Sequence, residues 1–419
     1  MVQYLLLGSR IGFRAASRVV EATVEFFRIR WQVPVPTTAR NWLLRIALYQ
    51  LLRAKTISND WVWIVDHTVK IGPEKCLVVM GVPLSQLPPA GQPLELRHLQ
   101  LLSLLPVTHS DQHVVFQQLE QTATVTGVPQ RILSDHGSDL QAGINRFCVQ
   151  HSETTSHYDV THKAAILLKS RLEKDPQWKA FSSQAGQTKF QTQQTELAFL
   201  VPPSQRSKAR FMNLGPLLTW ARKTLEIIQQ HPPEVLQHCS AERLEAKLGW
   251  LRDYQASIKQ WSEYQELLDH AVDEVRRYGY GQSTAYHVGL RLLPFVNSEA
   301  GRQLKDALIA FVEQESSAVP VGESIPGSTE ILESAFGRLK SMEGDQSKGG
   351  FTSLLLSLGA LVGTIDRETI MQALSEISQK RVDSWIKDNL GQTQFSKRKK
   401  AFADCNNLGV NTVNPQLQL

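Results

Sequence analysis

The chain is poor in cysteine. Its four, Cys76, Cys148, Cys239 and Cys405, form no CxxC pair. That scatter argues against a zinc site or a disulfide framework, and it makes a reducing cytoplasm the expected setting. No stretch reaches the roughly 18 apolar residues of a membrane span. The apolar start is interrupted by Gln3 and Tyr4, and its basic residues follow rather than precede it, so it does not read as a signal peptide. Neither charge dominates: 45 Lys and Arg stand against 40 Asp and Glu, a net charge of +5. That small surplus suits a polyanionic partner without requiring one.

What is present is an ordinary globular composition. Hydrophobic residues make up 42% of the 419, enough for a packed core and for two or three domains. Residues 1–58 read as a basic helical domain. Between Arg10 and Asp60, nine basic residues face three acidic ones, Glu21, Glu25 and Asp60. Helical spacing predicts one helix from Phe13 to Arg30. After the Pro34-Val35-Pro36 break, Thr37 and Thr38 offer N-caps for a second helix, Ala39 to Ala54. With Arg40 and Arg45 on that helix, the bundle reads either as a helix-turn-helix DNA reader or as a plain helical cap on the next domain.

Residues 59–180 change period. Strands are expected at Trp61–Asp66, Cys76–Val82 and Leu99–Val107, with a turn at Gly72-Pro73. A helix from about Ser110 to Thr126 leads to a fourth strand, Arg131–Asp135. A helix over Ser138–Gln150 leads to a fifth, Thr155–Asp159, and then to a helix over His162–Lys174. Three neighbouring strands, then helix-strand-helix-strand-helix, is the order of an RNase H-like mixed sheet. The expected class is therefore α/β, a mixed five-stranded sheet with flanking helices. An all-helical insertion at 181–325 interrupts it, opening on a Gln/Ser/Thr-rich connector over Phe181–Thr195. Helices are expected there near Leu214–Gln230, Ser240–Asp269, Ala271–Tyr278 and Ser298–Glu315. A last core helix falls in 326–345. The C-terminal region, 346–419, gives further helices and the basic cluster Lys397-Arg398-Lys399-Lys400.

The chemistry-bearing pattern occurs twice. Trp61-Val62-Trp63-Ile64-Val65-Asp66 ends in a carboxylate followed by His67, and Arg131-Ile132-Leu133-Ser134-Asp135 ends in one followed by His136. Strand ends in α/β sheets are where ligands and metals bind. A third acid is available on the helix after the insertion, Glu333, with Glu330 one turn earlier. Lys340 lies seven residues beyond Glu333, two turns up the same face.

At these residues the chain resembles the DDE-type transposases, in particular bacterial insertion-sequence members with an RNase H-like core and a helical insertion before the last acid. The resemblance covers most of residues 60–345. Ser134-Asp135-His136-Gly137 matches the Ser-Asp-x-Gly form at the second acid, and Glu333 to Lys340 matches the Glu-x6-Lys end of a family signature. The Tyr and Arg that precede it in that signature are absent, with Pro326 and Thr329 in their places. The resemblance implies a triad of Asp66, Asp135 and Glu333 holding two Mg²⁺ ions, with Mn²⁺ able to substitute. Three carboxylates suit such hard cations, and the ion pair activates the attacking oxygen and steadies the leaving one. Asp66 would bridge both ions. Lys340 would hold a phosphate as a point charge. Asp159-Val160-Thr161-His162 matches an Asp-x-x-His element, with His162 either beside the scissile phosphate or a surface helix residue, and Asp159 a helix cap. His67 and His136 either orient the carboxylates or serve as caps and core.

Trp220, Trp250 and Trp261, interleaved with Arg222, Lys223, Lys247, Arg252 and Lys259, are either core or a base-stacking platform. The 397–400 cluster is either a set of phosphate contacts or a solvated tail. The implied protein binds double-stranded DNA, both element ends and target, as a homodimer in the bacterial cytoplasm, associated with the nucleoid. It would hydrolyse a DNA phosphodiester and join the freed 3′-OH to target DNA. The alternatives are a transposase-derived DNA-binding protein without catalysis, or a metal-dependent structure-specific nuclease that does not join ends.

Overall fold

Trp61 to Val65 is a fully buried run of strand, each residue no more than 1% exposed. A strand covered on both faces must be central and read as a continuous apolar run. In the computed structural model this run opens the first strand, β1 (Trp61–Ile71), and β2 (Glu74–Pro83), β3 (Gln100–Val107), β4 (Arg131–Ser134) and β5 (Thr155–Tyr158) follow. The structure describes residues 1–71, 74–89, 91–204, 214–344, 352–390, 400–402 and 404. The expected turn at Gly72-Pro73 and the residues Lys397, Arg398 and Lys399 lie outside the described residues.

The sheet order is β3-β2-β1-β4-β5. β1 pairs antiparallel with β2 and parallel with β4, and β2 pairs antiparallel with β3. The fold is mixed α/β, with a five-stranded mixed sheet, as the strand periods predict. One expectation shifts. β1 does not end at Asp66 but continues to Ile71 against β2, while its pairing with β4 stops at Val65↔Ser134.

The chain falls into two compact units. The first comprises Met1–Pro89, Pro93–His157 and Thr329–Leu419. It opens with α1 (Val2–Gly8), α2 (Phe13–Phe26) and α3 (Pro36–Leu52). α3 starts earlier than expected. Val35 is its N-cap residue and Pro36 its first helical residue, where a missing N–H costs nothing, so Thr37 and Thr38 are not caps. α2 stops at Phe26 rather than at Arg30, and Arg28 takes a left-handed φ of 54° just beyond it. Between β3 and β5 lie α4 (Gln112–Thr126), capped by the Asp111 side chain, and α5 (Ser138–Gln150). These two cover one sheet face. Trp61, Trp63, Val65, Val79 and Ile132 from the strands pack with Val115, Leu119, Ile144 and Phe147 from the helices.

The second unit runs over Tyr158–Ser328, with Ala90–Gln92. It begins with α6 (Val160–Leu172), whose inner residues Val160, Ala164, Leu168 and Leu172 are buried. The unit therefore starts at Tyr158 rather than at 181, because α6 packs on helices that come later in it. α7 (Pro176–Thr192) occupies the segment expected to be a mobile connector. Trp178, Phe181, Ala185, Thr188 and Thr192 are buried at helical spacing, and a few apolar residues on one face suffice to dock a Gln-rich helix. α8 (Gly215–Gln230), the short α9 (Pro233–Leu236), α10 (Ala241–Leu248) and α11 (Gln255–Tyr278) follow, then α12 (Thr284–Leu292) and α13 (Glu299–Ser317). The two helices expected over Ser240–Asp269 and Ala271–Tyr278 are divided differently. A 3₁₀ turn over Gly249–Tyr254 separates α10 from α11, and α11 runs unbroken through to Tyr278. The chain leaves the unit beside its entry, since Val160 N–H donates to the Gly327 carbonyl at 2.9 Å.

Back in the first unit, α14 (Glu330–Gly344) touches β1. A 3₁₀ turn over Ser353–Ser357, α15 (Leu358–Leu361), α16 (Arg367–Glu376) and α17 (Gln379–Asn389) follow, and all of them pack on α3. Gly363 has a φ of +75° between α15 and α16. Among the described residues no helix is long and apolar enough to cross a membrane.

Candidate catalytic carboxylates

Two aspartates meet at the middle of the sheet. Val65 and Ser134 are partners in the parallel ladder, so Asp66 and Asp135 are the next residues on neighbouring chains. Neighbouring strands lie roughly 4.8 Å apart. Side chains alternate along a strand, so Asp66 falls on the face opposite Trp63 and Val65. Both aspartates are half-buried, reachable by solvent but walled by the sheet.

Each carboxylate is oriented by a backbone N–H. Asp66 Oδ1 accepts from His67 N at 2.6 Å. Asp135 Oδ1 accepts from Gly137 N at 2.9 Å. The second contact depends on His136, whose φ of 54° is left-handed. That conformation is uncommon outside glycine and turns the chain sharply enough to bring Gly137 N back to Asp135.

Beside this edge is a polar network that the sequence reading did not find. Lys75 of β2 donates to Asp139 Oδ2. Ser110 Oγ donates to the same oxygen at 2.7 Å, and His67 Nε2 lies 3.1 Å from Ser110 Oγ. The His67 side chain is only 4% exposed. His67 is therefore part of a structural clasp joining β1, β2, the start of α4 and α5. Burial pushes the Asp139 carboxyl up, but the hydrogen bonds from Lys75 and Ser110, with the charges of His67 and Lys75, bring it down to about 2. The one sequence signal for it was an acidic residue in the first turn of α5.

The two candidates for a third acid sit on α14. Glu330 and Glu333 both occupy its first turn, Glu330 half-buried and Glu333 exposed. The buried face of α14 is Leu332, Ala335, Phe336 and Leu339. Lys340 is exposed, two turns beyond Glu333. Oxygen donors of this kind suit Mg²⁺. Asp66 and Asp135 fit by adjacency, but among the described residues no three His, Cys, Asp or Glu side chains are arranged to hold an ion.

His162 lies in the second unit, in the first turn of α6, with Nδ1 3.7 Å from Asp159 Oδ1. Asp159 caps that helix, accepting from Thr161 N at 2.6 Å and His162 N at 3.0 Å, as expected. Arg40 and Arg45 point inward. Arg40 donates to Ser353 Oγ, and Arg45 donates to the carbonyls of Ile377 and Leu374. Burial lowers the Arg40 pKa, with Asp383 opposing. Arg45 satisfies two C-terminal backbone carbonyls and Arg40 a C-terminal hydroxyl, so neither guanidinium projects from the helix into solvent. Lys400 is exposed.

The tryptophans of the second unit are packing. Trp261 is 1% exposed, its Nε1 donating to Asp175 Oδ2 at 3.0 Å. It meets Trp178 edge-to-face at 5.0 Å, and Phe181 bridges it to Trp250. Trp220 Nε1 donates to the Leu200 carbonyl at 2.8 Å. Arg222 and Arg252 are paired with Glu266 and Glu245.

No protein-family model matches the chain, and no curated protein matches it. Among solved structures it is similar to a chain of a Drosophila P element transposase strand transfer complex. The two are 11% identical, the match covers 88% of this chain and 92% of that one, and the TM-score is 0.42.

Proposed function

We propose that the protein is a DNA transposase that cuts DNA phosphodiesters and joins the freed 3′-OH to a target, using a DDE triad on an RNase H-like sheet. The observation that carries this reading is the pairing of β1 with β4, which sets Asp66 and Asp135 side by side at the centre of the sheet. The order β3-β2-β1-β4-β5 agrees with it.

Asp66, Asp135 and Glu333 would hold the Mg²⁺ or Mn²⁺ ions, which when bound supply charge for the attacking and leaving oxygens. The chain's own residues do the rest. The N–H groups of His67 and Gly137 aim the two aspartates. α14, lying against β1, carries the third acid, and Glu330 is the alternative to Glu333 on the same turn. Lys340 and Lys400, both exposed, would hold DNA phosphates, and Lys397, Arg398 and Lys399 would extend that contact. Arg40 and Arg45 would reach DNA only after leaving their present partners. His162 would donate to a phosphate oxygen. Two ends must be handled together, so a homodimer on DNA is part of the proposal.

The test is cleavage and strand transfer on DNA carrying the sequences that flank the gene, with Mg²⁺ or Mn²⁺. Asp135→Asn, Glu333→Gln and Glu330→Gln are assayed beside the wild type. Nicking and joining lost in Asp135→Asn, with DNA binding kept, is the expected result. Loss in Glu330→Gln but not in Glu333→Gln reassigns the third acid. Cut ends without joined product make the protein a nuclease. Tight DNA binding with no product from the wild type makes it a binding protein and sinks the catalytic reading.

A further inference from the structure

α14 carries a second charged feature. Ser334, Arg338 and Ser341 recur at i, i+4 and i+7, so they share one helix face, with Gly337 between them. That face opens on a groove of about 510 Å³ within the first unit, closed on the other side by the end of α1, Arg10 and the segment around Arg97. An adjoining cavity of about 270 Å³ shares Arg10, Ser334 and Arg338 and adds Gly337 and Ser341.

The charges in this groove do not balance. Arg10, Arg97 and Arg338 face one carboxylate, Glu95, and that carboxylate is bonded to Arg97 at 2.9 Å. Among the described residues neither Arg10 nor Arg338 has an ion-pair partner. Arg338 Nε is buried with no hydrogen-bond partner. Burial, and then the nearby charge of Arg10, lower the Arg338 pKa. Two cations held together with a buried donor left over is a costly arrangement unless an anion completes it. Arginine forks match the oxygens of a phosphate, and the two serine hydroxyls add donors for a group with three or four acceptor oxygens.

We propose that this groove is a phosphate site, with Arg10 and Arg338 as its cations and Ser334 and Ser341 as hydroxyl donors. The phosphate belongs either to a DNA backbone or to a small free phosphate. The DNA arm alone rests on the nucleic-acid reading above.

The test uses the full chain and three variants, Arg10→Gln, Arg338→Gln and Gly337→Glu. A Cβ added at Gly337 meets nothing within 4 Å, so that variant starts a carboxylate-bearing side chain into open space on the face that carries Arg338. Thermal unfolding is followed with millimolar inorganic phosphate against chloride of equal ionic strength. Binding of a short fluorescent duplex is followed by anisotropy across a salt series. Phosphate is expected to raise the melting temperature of the wild type and of none of the variants. If the groove takes a DNA phosphate, Arg338→Gln weakens binding about 3–10-fold and lowers the salt slope by about 1. A phosphate effect with an unchanged DNA slope assigns the groove to a free phosphate. Equal melting shifts in wild type and variants, with unchanged DNA binding, overturn the proposal. Should Arg338→Gln fail to fold, Gly337→Glu decides. A wild type that binds no DNA defeats the transposase reading and leaves the phosphate arm to judge the groove.

Discussion

Asp139 is drawn in two directions. Burial favours its protonated form, while the Lys75 and Ser110 hydrogen bonds and the charges of His67 and Lys75 favour the carboxylate and hold it at about 2. A carboxyl depressed in the folded state contributes stability that is present above its unfolded pKa, roughly 3.9, and is lost as pH falls toward the folded value. The clasp is therefore expected to weaken between about pH 4 and pH 2. Asp139→Asn should cost about 1–2 kcal/mol at neutral pH, discounted for the water that reaches a partly exposed pair, and should flatten the acid limb of a melting-temperature profile. An Asp139→Asn profile parallel to the wild type down to the lowest pH would show that the clasp adds nothing. No local sequence pattern announces this network, because Lys75 and Ser110 stand 64 and 29 residues from Asp139. The Asp159 cap, by contrast, was legible, since a cap acts on the next three residues.

At the scale of elements, α3 is the helix on which the first unit is assembled. Leu43, Leu44, Ile46, Ala47 and Leu48 are all no more than 1% exposed, so it is buried on more than one side. That is why its period gives no clean amphipathic stripe, and why Arg40 and Arg45 turn toward partners in the C-terminal region. α15 crosses it closely at Gly359. A Cβ there would lie 2.4 Å from the Ala47 carbonyl oxygen, so only glycine allows the approach. Gly359→Ala is expected to destabilise the protein by about 1–3 kcal/mol in chemical denaturation, because α15 must lift off α3. An unchanged midpoint would mean that the two helices are not packed at that point. α7 teaches the reverse lesson. Its polar composition suggested a connector, but Phe181, Ala185, Thr188 and Thr192 bury one narrow face, which composition averages hide.

At the scale of the molecule, the first unit is built from three stretches of chain, and the second is nearly continuous. Its entry and exit are stapled within itself: Tyr158 N donates to Glu315 Oε2 at 3.0 Å, Tyr280 Oη donates to the Tyr158 carbonyl at 2.6 Å, and Tyr280 pairs with Ile325. Residues 158–328 expressed alone are expected to fold, with helical circular dichroism and a cooperative melt reported by tryptophan fluorescence. A non-cooperative, largely unstructured fragment would show that the unit depends on the rest of the chain. In the full protein, Trp261→Ala should cost about 3–5 kcal/mol, since it empties the centre of the aromatic cluster and removes the donor to Asp175 Oδ2. A calorimetric trace in which that loss falls on one of two transitions would assign it to the second unit.

The sequence by itself determined the local elements around the sheet. Apolar runs bounded by turn residues located β1 to β4, and the placement of Asp66 and Asp135 at the ends of two such runs was visible because side-chain alternation and strand propensity act over a few residues. Only the tertiary structure decided which strands are neighbours. The pairing of β1 with β4, which sets the two aspartates together, joins segments about seventy residues apart. The same holds for the inward turn of Arg40 and Arg45, the clasp around Asp139, the membership of α6 in the second unit and the arginine-lined groove beside α14. Each depends on packing between distant parts of the chain, and burial by such contacts overrides what a residue's own neighbours prefer.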